Sequence, residues 1–165
     1  MTCVMSPAPA PVDEAAADAD AVVVRLGSGR FSVSLASVAE VGRVPSVTRV
    51  PGTPNWVAGV ANWRGRILPI LDLRTLLGAV EAPLAATARL LVLSADGVSV
   101  GLLVEAVEGT AVVAASAEPF PATLAGTAAQ LLSGQLPQPD GPVAVLDVDA
   151  VLRMRDALPR GRRSA

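Results

Sequence analysis

Two stretches of this chain follow one pattern at a spacing of 75 residues, and that duplication constrains the fold more than any other feature. Gly59 answers Gly134, Asp72 answers Asp147 and Leu77 answers Leu152, each pair 75 apart. Between them ILPILDLRTLL is matched by PVAVLDVDAVL, an apolar strand running into an Asp and a short amphipathic turn. Upstream, Phe31, Val33, Leu35 and Val38 line up with Val100, Leu102, Val104 and Val107 at an offset of 69. The expectation is two similar β units side by side.

The first copy of the pattern, Val57 to Leu77, reads as a strand, a tight turn at Arg64-Gly65-Arg66, a second strand and a brief helix with Asp72 as its N-cap. Val22–Leu26 and Arg30–Leu35 form a second hairpin across Gly27-Ser28-Gly29, and Arg89–Leu93 with Val98–Val104 a third across Ala95-Asp96-Gly97. Val38–Val44 is a further strand. In it Val38 and Glu40 share one face while Ala39 and Val41 share the other. Pro45, Pro51 and Pro54 mark a connecting loop that leads through Trp56 into the central hairpin. After the Pro-rich Glu118–Pro121 comes an Ala-rich stretch whose composition favours helix, whereas the repeat pairs Leu131–Leu136 with a strand. Pro142–Leu146 and a closing helix from Val148 to about Ala157 complete the series. Many short strands divided by turns point to small barrels.

Composition limits the chemistry. Hydrophobic residues make up 52% of 165 and aromatic residues 2%, so the core is built from Val, Leu, Ile and Ala. A net charge of −2 argues against a nucleic-acid surface, which needs clustered basic residues. All 13 basic residues are arginines; there is no His and no Lys. That excludes Ser-His-Asp and Cys-His sites, His-ligated metals, Lys Schiff bases, the P-loop lysine and phosphorylation on His. The single Cys3 leaves no intramolecular disulfide and no multi-Cys metal site, so no cofactor or metal is expected and a reducing cytoplasm is the natural setting. Residues 1–20, rich in Ala, Pro and Asp, read as a disordered leader, and PRGRRSA from Pro159 to Ala165 as a solvated basic tail. No window approaches the roughly 20 apolar residues of a membrane helix, so no direct membrane insertion is expected.

The stretch RFSVSLASVAEVGRVPSVTRVPGTPNWVAGVANWRGRILPILDLRTLLG resembles, without gaps, the CheW-like adaptor family of bacterial chemotaxis. Asn62, Arg64, Gly65, Pro69 and Asp72 fall in the family's order, and VSVGLLVEAVEG and GPVAVLDVDAVL continue the likeness. It extends from about Val22 to Leu158, so a CheW-like domain over 21–158 is expected. The resemblance implies a mainly β fold, two five-stranded SH3-like barrels about a shared apolar core, and no catalysis. It implies an adaptor that couples the cytoplasmic tips of chemoreceptors to the regulatory domain of the histidine kinase CheA. By motif, the receptor-facing groove takes Val38, Glu40, Gly59, Asn62, Arg64 and Gly65 from the first unit. Val100, Gly101 and Leu102 join from the second. Trp63 stands in the same groove where the family usually has Leu, a larger ring that fills it or widens the apolar patch presented to a receptor, and the loop Gln135–Asp140 departs from the family pattern as well; residues for kinase contact are not indicated.

Two other classes compete. Asp72 and Asp147 at matched positions are similar to the paired carboxylates of aspartic proteases, but those need Asp-Thr/Ser-Gly, and the triplets here are Asp-Leu-Arg and Asp-Val-Asp. The other class is an interaction barrel outside chemotaxis, or an adaptor of another chemosensory pathway such as one driving pilus motility.

Overall fold

The computed structural model describes residues 20–77, 83–112, 118–119 and 126–157. The leader up to residue 19, Cys3 within it, and the basic tail lie outside these residues. The chain runs β1 (Ala21–Leu26), β2 (Gly29–Ser34), a 3-10 turn (Leu35–Ser37), β3 (Val38–Arg43), β4 (Val57–Trp63), β5 (Arg66–Leu71), β6 (Arg89–Ala95), β7 (Val98–Val104) and β8 (Ala106–Ala111). It then continues through α1 (Thr127–Leu131), β9 (Leu132–Leu136), β10 (Val143–Leu146), α2 (Val148–Met154) and a final 3-10 turn (Arg155–Ala157). The Ala-rich stretch thus settles both expectations in succession, a short helix feeding a strand. Where a helix was expected after Asp72, the chain makes one turn, closed by the Leu77 N–H on the Leu73 carbonyl at 3.0 Å.

The strands form two five-stranded sheets, ordered β8-β1-β2-β10-β9 and β3-β6-β7-β5-β4. The halves of the sequence therefore do not stand side by side, as the repeat alone suggests. Each sheet takes two strands from one half and three from the other. The reason lies in the short links: a 3-10 turn carries the chain from β2 in one sheet to β3 in the other, and Glu105 alone separates β7 from β8. Under the repeat, β3, β6, β7, β5 and β4 correspond to β8, β1, β2, β10 and β9, so the sheets have one topology.

The repeat extends to irregularities. Ala39 is the extra residue of a bulge in β3 and Glu108 of one in β8; Ala58 and Ser133 are the extra residues in β4 and β9. A bulge bends its strand and moves the following side chains to the other face. Hence Val38 opposes Leu93 and packs on the main core, whereas Glu40 opposes Val92 on the far face. Unbroken alternation, which would put Val38 and Glu40 together, does not hold. After each bulge a loop residue crosses β4 or β9: Thr48 exchanges both backbone hydrogen bonds with Val60, and Glu118 does so with Gln135.

The main core joins the sheets. Val24, Leu26 and Val33 of one and Leu91, Leu93, Val100, Leu102 and Val104 of the other meet, with Val151 and Leu152 of α2 closing the end. The far face of the second sheet curls around its own cluster of Ala61, Leu68, Ile70, Leu90, Val92 and Leu103, and Val23, Leu136 and Val143 serve the first sheet. Burying each such aliphatic side chain contributes about 1.5–3 kcal/mol. Ring-poor composition suits these thin clusters.

Arg74 is buried between the turn after β5 and the β7–β8 link. Its guanidinium donates to Asp72 at 2.8 Å and to Glu105 at 3.1 Å, and its backbone N–H also reaches Asp72. Asp72 therefore serves Arg74, while its counterpart Asp147 caps α2 by accepting from the Ala150 N–H at 3.1 Å. Each carboxylate of the matched pair has a structural task.

Candidate functional site at the central hairpin

The tip of the β4–β5 hairpin is a two-residue turn in which both residues are left-handed, Arg64 at φ 52° and Gly65 at φ 80°. That is the turn whose twist matches paired strands, and it favours Gly at the second position. Asn62, the strand residue before it, accepts from the Gly65 N–H at 3.0 Å and fixes the tip. With Arg64 held in this unusual conformation, its side chain is thrown back across the sheet.

There it meets Glu40 of β3. Glu40 accepts from Arg64 Nε at 2.9 Å through both oxygens, and Arg64 Nη2 adds a closer bond to Oε1. Trp63 Nε1–H donates to Glu40 Oε2 at 3.0 Å. β3 and β4 are opposite edges of their sheet, so these bonds show the sheet curled until its edges face one another. The Trp63 ring lies over Gly42, two residues along β3 from Glu40; a methyl group there would stand 2.5 Å from Trp63 Cη2. The Arg64 hydrogen bond, then that of Trp63, holds the Glu40 carboxyl below its ordinary 4.5. Arg64 is in turn held more firmly protonated by Glu40. The result is a fixed anion–cation pair with an indole beside it. It is exposed on the Arg64 side, and Ile67, 72% exposed, stands next along the hairpin. Such a knot presents a guanidinium fork and an apolar shelf, recognition surfaces rather than reacting groups. Among the described residues no three His, Cys, Asp or Glu side chains converge as a metal site would need, and no helix is long and apolar enough to cross a membrane.

The CheW-like domain model matches residues 20–156, which include both sheets and this knot. The chain belongs to the CheW-like domain family. Among similar proteins, PilI of Pseudomonas aeruginosa is 44% identical over 85 residues, 52% of this chain and 48% of PilI. The chemotaxis protein CheW of Helicobacter pylori is 28% identical over 129 residues, 78% of each chain. The match thus spans about half the length of PilI. The crystal structure of the scaffolding protein TtCheW from Thermoanaerobacter tengcongensis superposes with a TM-score of 0.70 at 25% identity, covering 79% of this chain and 89% of that one. The mainly β architecture of two small five-stranded sheets over one core is that of a CheW-like fold.

Within this CheW-like domain the residues singled out from sequence divide into two groups. Glu40, Asn62, Trp63, Arg64 and Gly65 come together at the hairpin tip. Val100 and Leu102 are fully buried in β7, and Gly101 between them has the ends of Ile70 and Leu90 within 3 Å of where a Cβ would sit. Their side chains offer no surface to a partner in this fold. Gly59 is buried too, at φ 146°, and a side chain there would collide with the Thr48 carbonyl, so its place is set by the crossing loop. Val38 is half-buried against the main core. Sequence reasoning missed Gly42, the seat of Trp63. The signal was a Gly two residues from Glu40 on one strand face, facing an oversized ring where the family has Leu.

Proposed function

We propose that this chain is a chemotaxis adaptor that couples chemoreceptor cytoplasmic tips to a CheA-type histidine kinase, with the Glu40–Trp63–Arg64 knot in the receptor-facing groove. The observation that carries the reading is an asymmetry. Where the second sheet has Glu40, Gly42, Trp63 and Arg64, the positions that correspond in its sister have Gly109, Ala111, Gln138 and Pro139. The sister sheet shares the topology without the knot. The shared strand order does not require these residues, and recognition accounts for them in this reading. The fork of Arg64 suits carboxylates or carbonyls of a helical receptor tip. In this reading the protein works in the cytoplasm, at receptor arrays on the membrane, and catalyses no reaction. Kinase contact falls on other exposed barrel surfaces.

The test is a titration against the regulatory domain of the cognate kinase and against a receptor-tip fragment, with wild type and Arg64→Asn. Asn is favoured in this left-handed turn, so the variant keeps its fold. Kinase binding retained with receptor binding lost is the expected result; no binding of the wild type to either partner defeats the reading. The identity with PilI, higher than with the Helicobacter CheW, favours a second reading, an adaptor of another chemosensory output such as pilus motility. A deletion strain scored for both swimming and surface motility separates the two.

A further inference from the structure

Arg43 and Arg89 lie directly opposite one another in the β3–β6 pair. Like charges at such a position destabilise a sheet. Among the described residues neither has a carboxylate within ion-pair reach, in contrast to Arg25, Arg30, Arg64 and Arg74. Arg89 is nonetheless held in place. Its Nη1 donates to the carbonyls of Ala88 at 2.8 Å and Ala86 at 3.4 Å, and among the described residues its other N–H groups have no acceptor. The two arginines border an open cleft of about 450 Å³, whose wall is completed by Val44, Leu84 and the alanines of the turn before β6. That volume is in the range of small-molecule sites, and the lining mixes apolar side chains with the two arginines in about equal measure.

We propose that this cleft binds a small organic anion, its carboxylate or phosphate group between the guanidinium groups of Arg43 and Arg89 and its apolar body against Val44 and Leu84. The ligand would offset the like-charge repulsion that the free protein carries. The residues that line the cleft include none of the hairpin knot.

Phenyl phosphate serves as the probe, titrated at constant ionic strength into the full chain and followed by the Arg Nε–H and backbone amide resonances and by thermal shift. Saturable binding is expected, weakened about tenfold or more by either Arg43→Gln or Arg89→Gln, as removal of a charge-assisted hydrogen bond predicts. In the absence of probe Arg43→Gln should melt about 1–3 °C higher than wild type, since the repulsion is gone. This keeps loss of binding distinct from loss of fold. Absence of saturation at about 10 mM, far above the useful range of a specific site, overturns the proposal. So does binding that survives in both variants. Inorganic phosphate binding as tightly as phenyl phosphate removes the apolar subsite, and hexaglutamate binding tenfold more tightly replaces the small anion by an acidic protein segment.

Discussion

Glu40 accepts from both Trp63 and Arg64 at the hairpin tip, and its titration is therefore a direct report on the knot. Its folded-state pKa is depressed, so the stabilisation it brings is complete above the ordinary 4.5 and is lost as pH falls through the lower folded value. In a Trp56→Phe background, Trp63 fluorescence should be flat from neutral pH down to about 4.5 and should change below it; Glu40→Gln should abolish that acid transition. An identical transition in Glu40→Gln would show that another group is responsible. The buried glycines of the second sheet are ranked by what a methyl group would meet. Gly59→Ala sets a Cβ against a backbone carbonyl at a positive φ and should cost about 1–3 kcal/mol or more in urea unfolding. Gly101→Ala meets only the ends of Ile70, Leu90 and Leu68, which can shift, and should fall at the low end of the about 1–3 kcal/mol of overpacking.

At the scale of elements, the turns and the buried clamp between them decide how firmly the hairpins are placed. Gly65 in the β4–β5 turn and Gly97 in the β6–β7 turn both follow a left-handed non-glycine residue, Arg64 and Asp96. Each Gly→Ala should cost about 1 kcal/mol by chevron or equilibrium unfolding. Arg74→Met leaves Asp72 and Glu105 without their shared cation while both remain mostly covered, and a loss of about 2–4 kcal/mol is expected, below that of a wholly buried pair. These elements also show what could be read beforehand. Alternating Val and Leu around Gly27-Ser28, Arg64-Gly65 and Asp96-Gly97 made the three hairpins legible, because turn chemistry and strand period are local. β8 was not legible from its own residues: AVEGTA alternates weakly and is largely exposed, and only its match to β3 signals it. The bulges at Ala39 and Ala58, which turn Val38 away from Glu40 and bury Gly59, leave no composition mark. The meeting of Glu40 with Arg64 depends on two sheet edges far apart in sequence, so the family motif could name both residues but their spacing could not join them. Val100 and Leu102, which the family motif assigns to the receptor-facing groove, are instead buried in β7 and fill the core.

For the whole molecule, the exchange of strands between halves makes the two sheets one cooperative unit. Neither residues 20–77 nor 84–157 contain all the strands of either sheet. Each fragment alone should lack the circular dichroism and the protected amides of a folded sheet, and mixing them should restore both. The intact chain should unfold in urea as a single transition whose two tryptophans and far-ultraviolet signal coincide. A stable N-terminal fragment, or two separated transitions, would show that the shared core does not couple the sheets. The same exchange reaches back to how the protein is made. β2 takes its second neighbour from β10, the last strand, and among the described residues β3 pairs with β6 alone. A chain emerging from the ribosome N-terminus first can finish the second sheet only once β7 is out and the first only once β10 is, so native pairing of the first sheet waits for nearly the end of translation. Throughout synthesis the hairpins already released carry bare apolar edges, and guarding them falls to the chaperones of the cell that makes it.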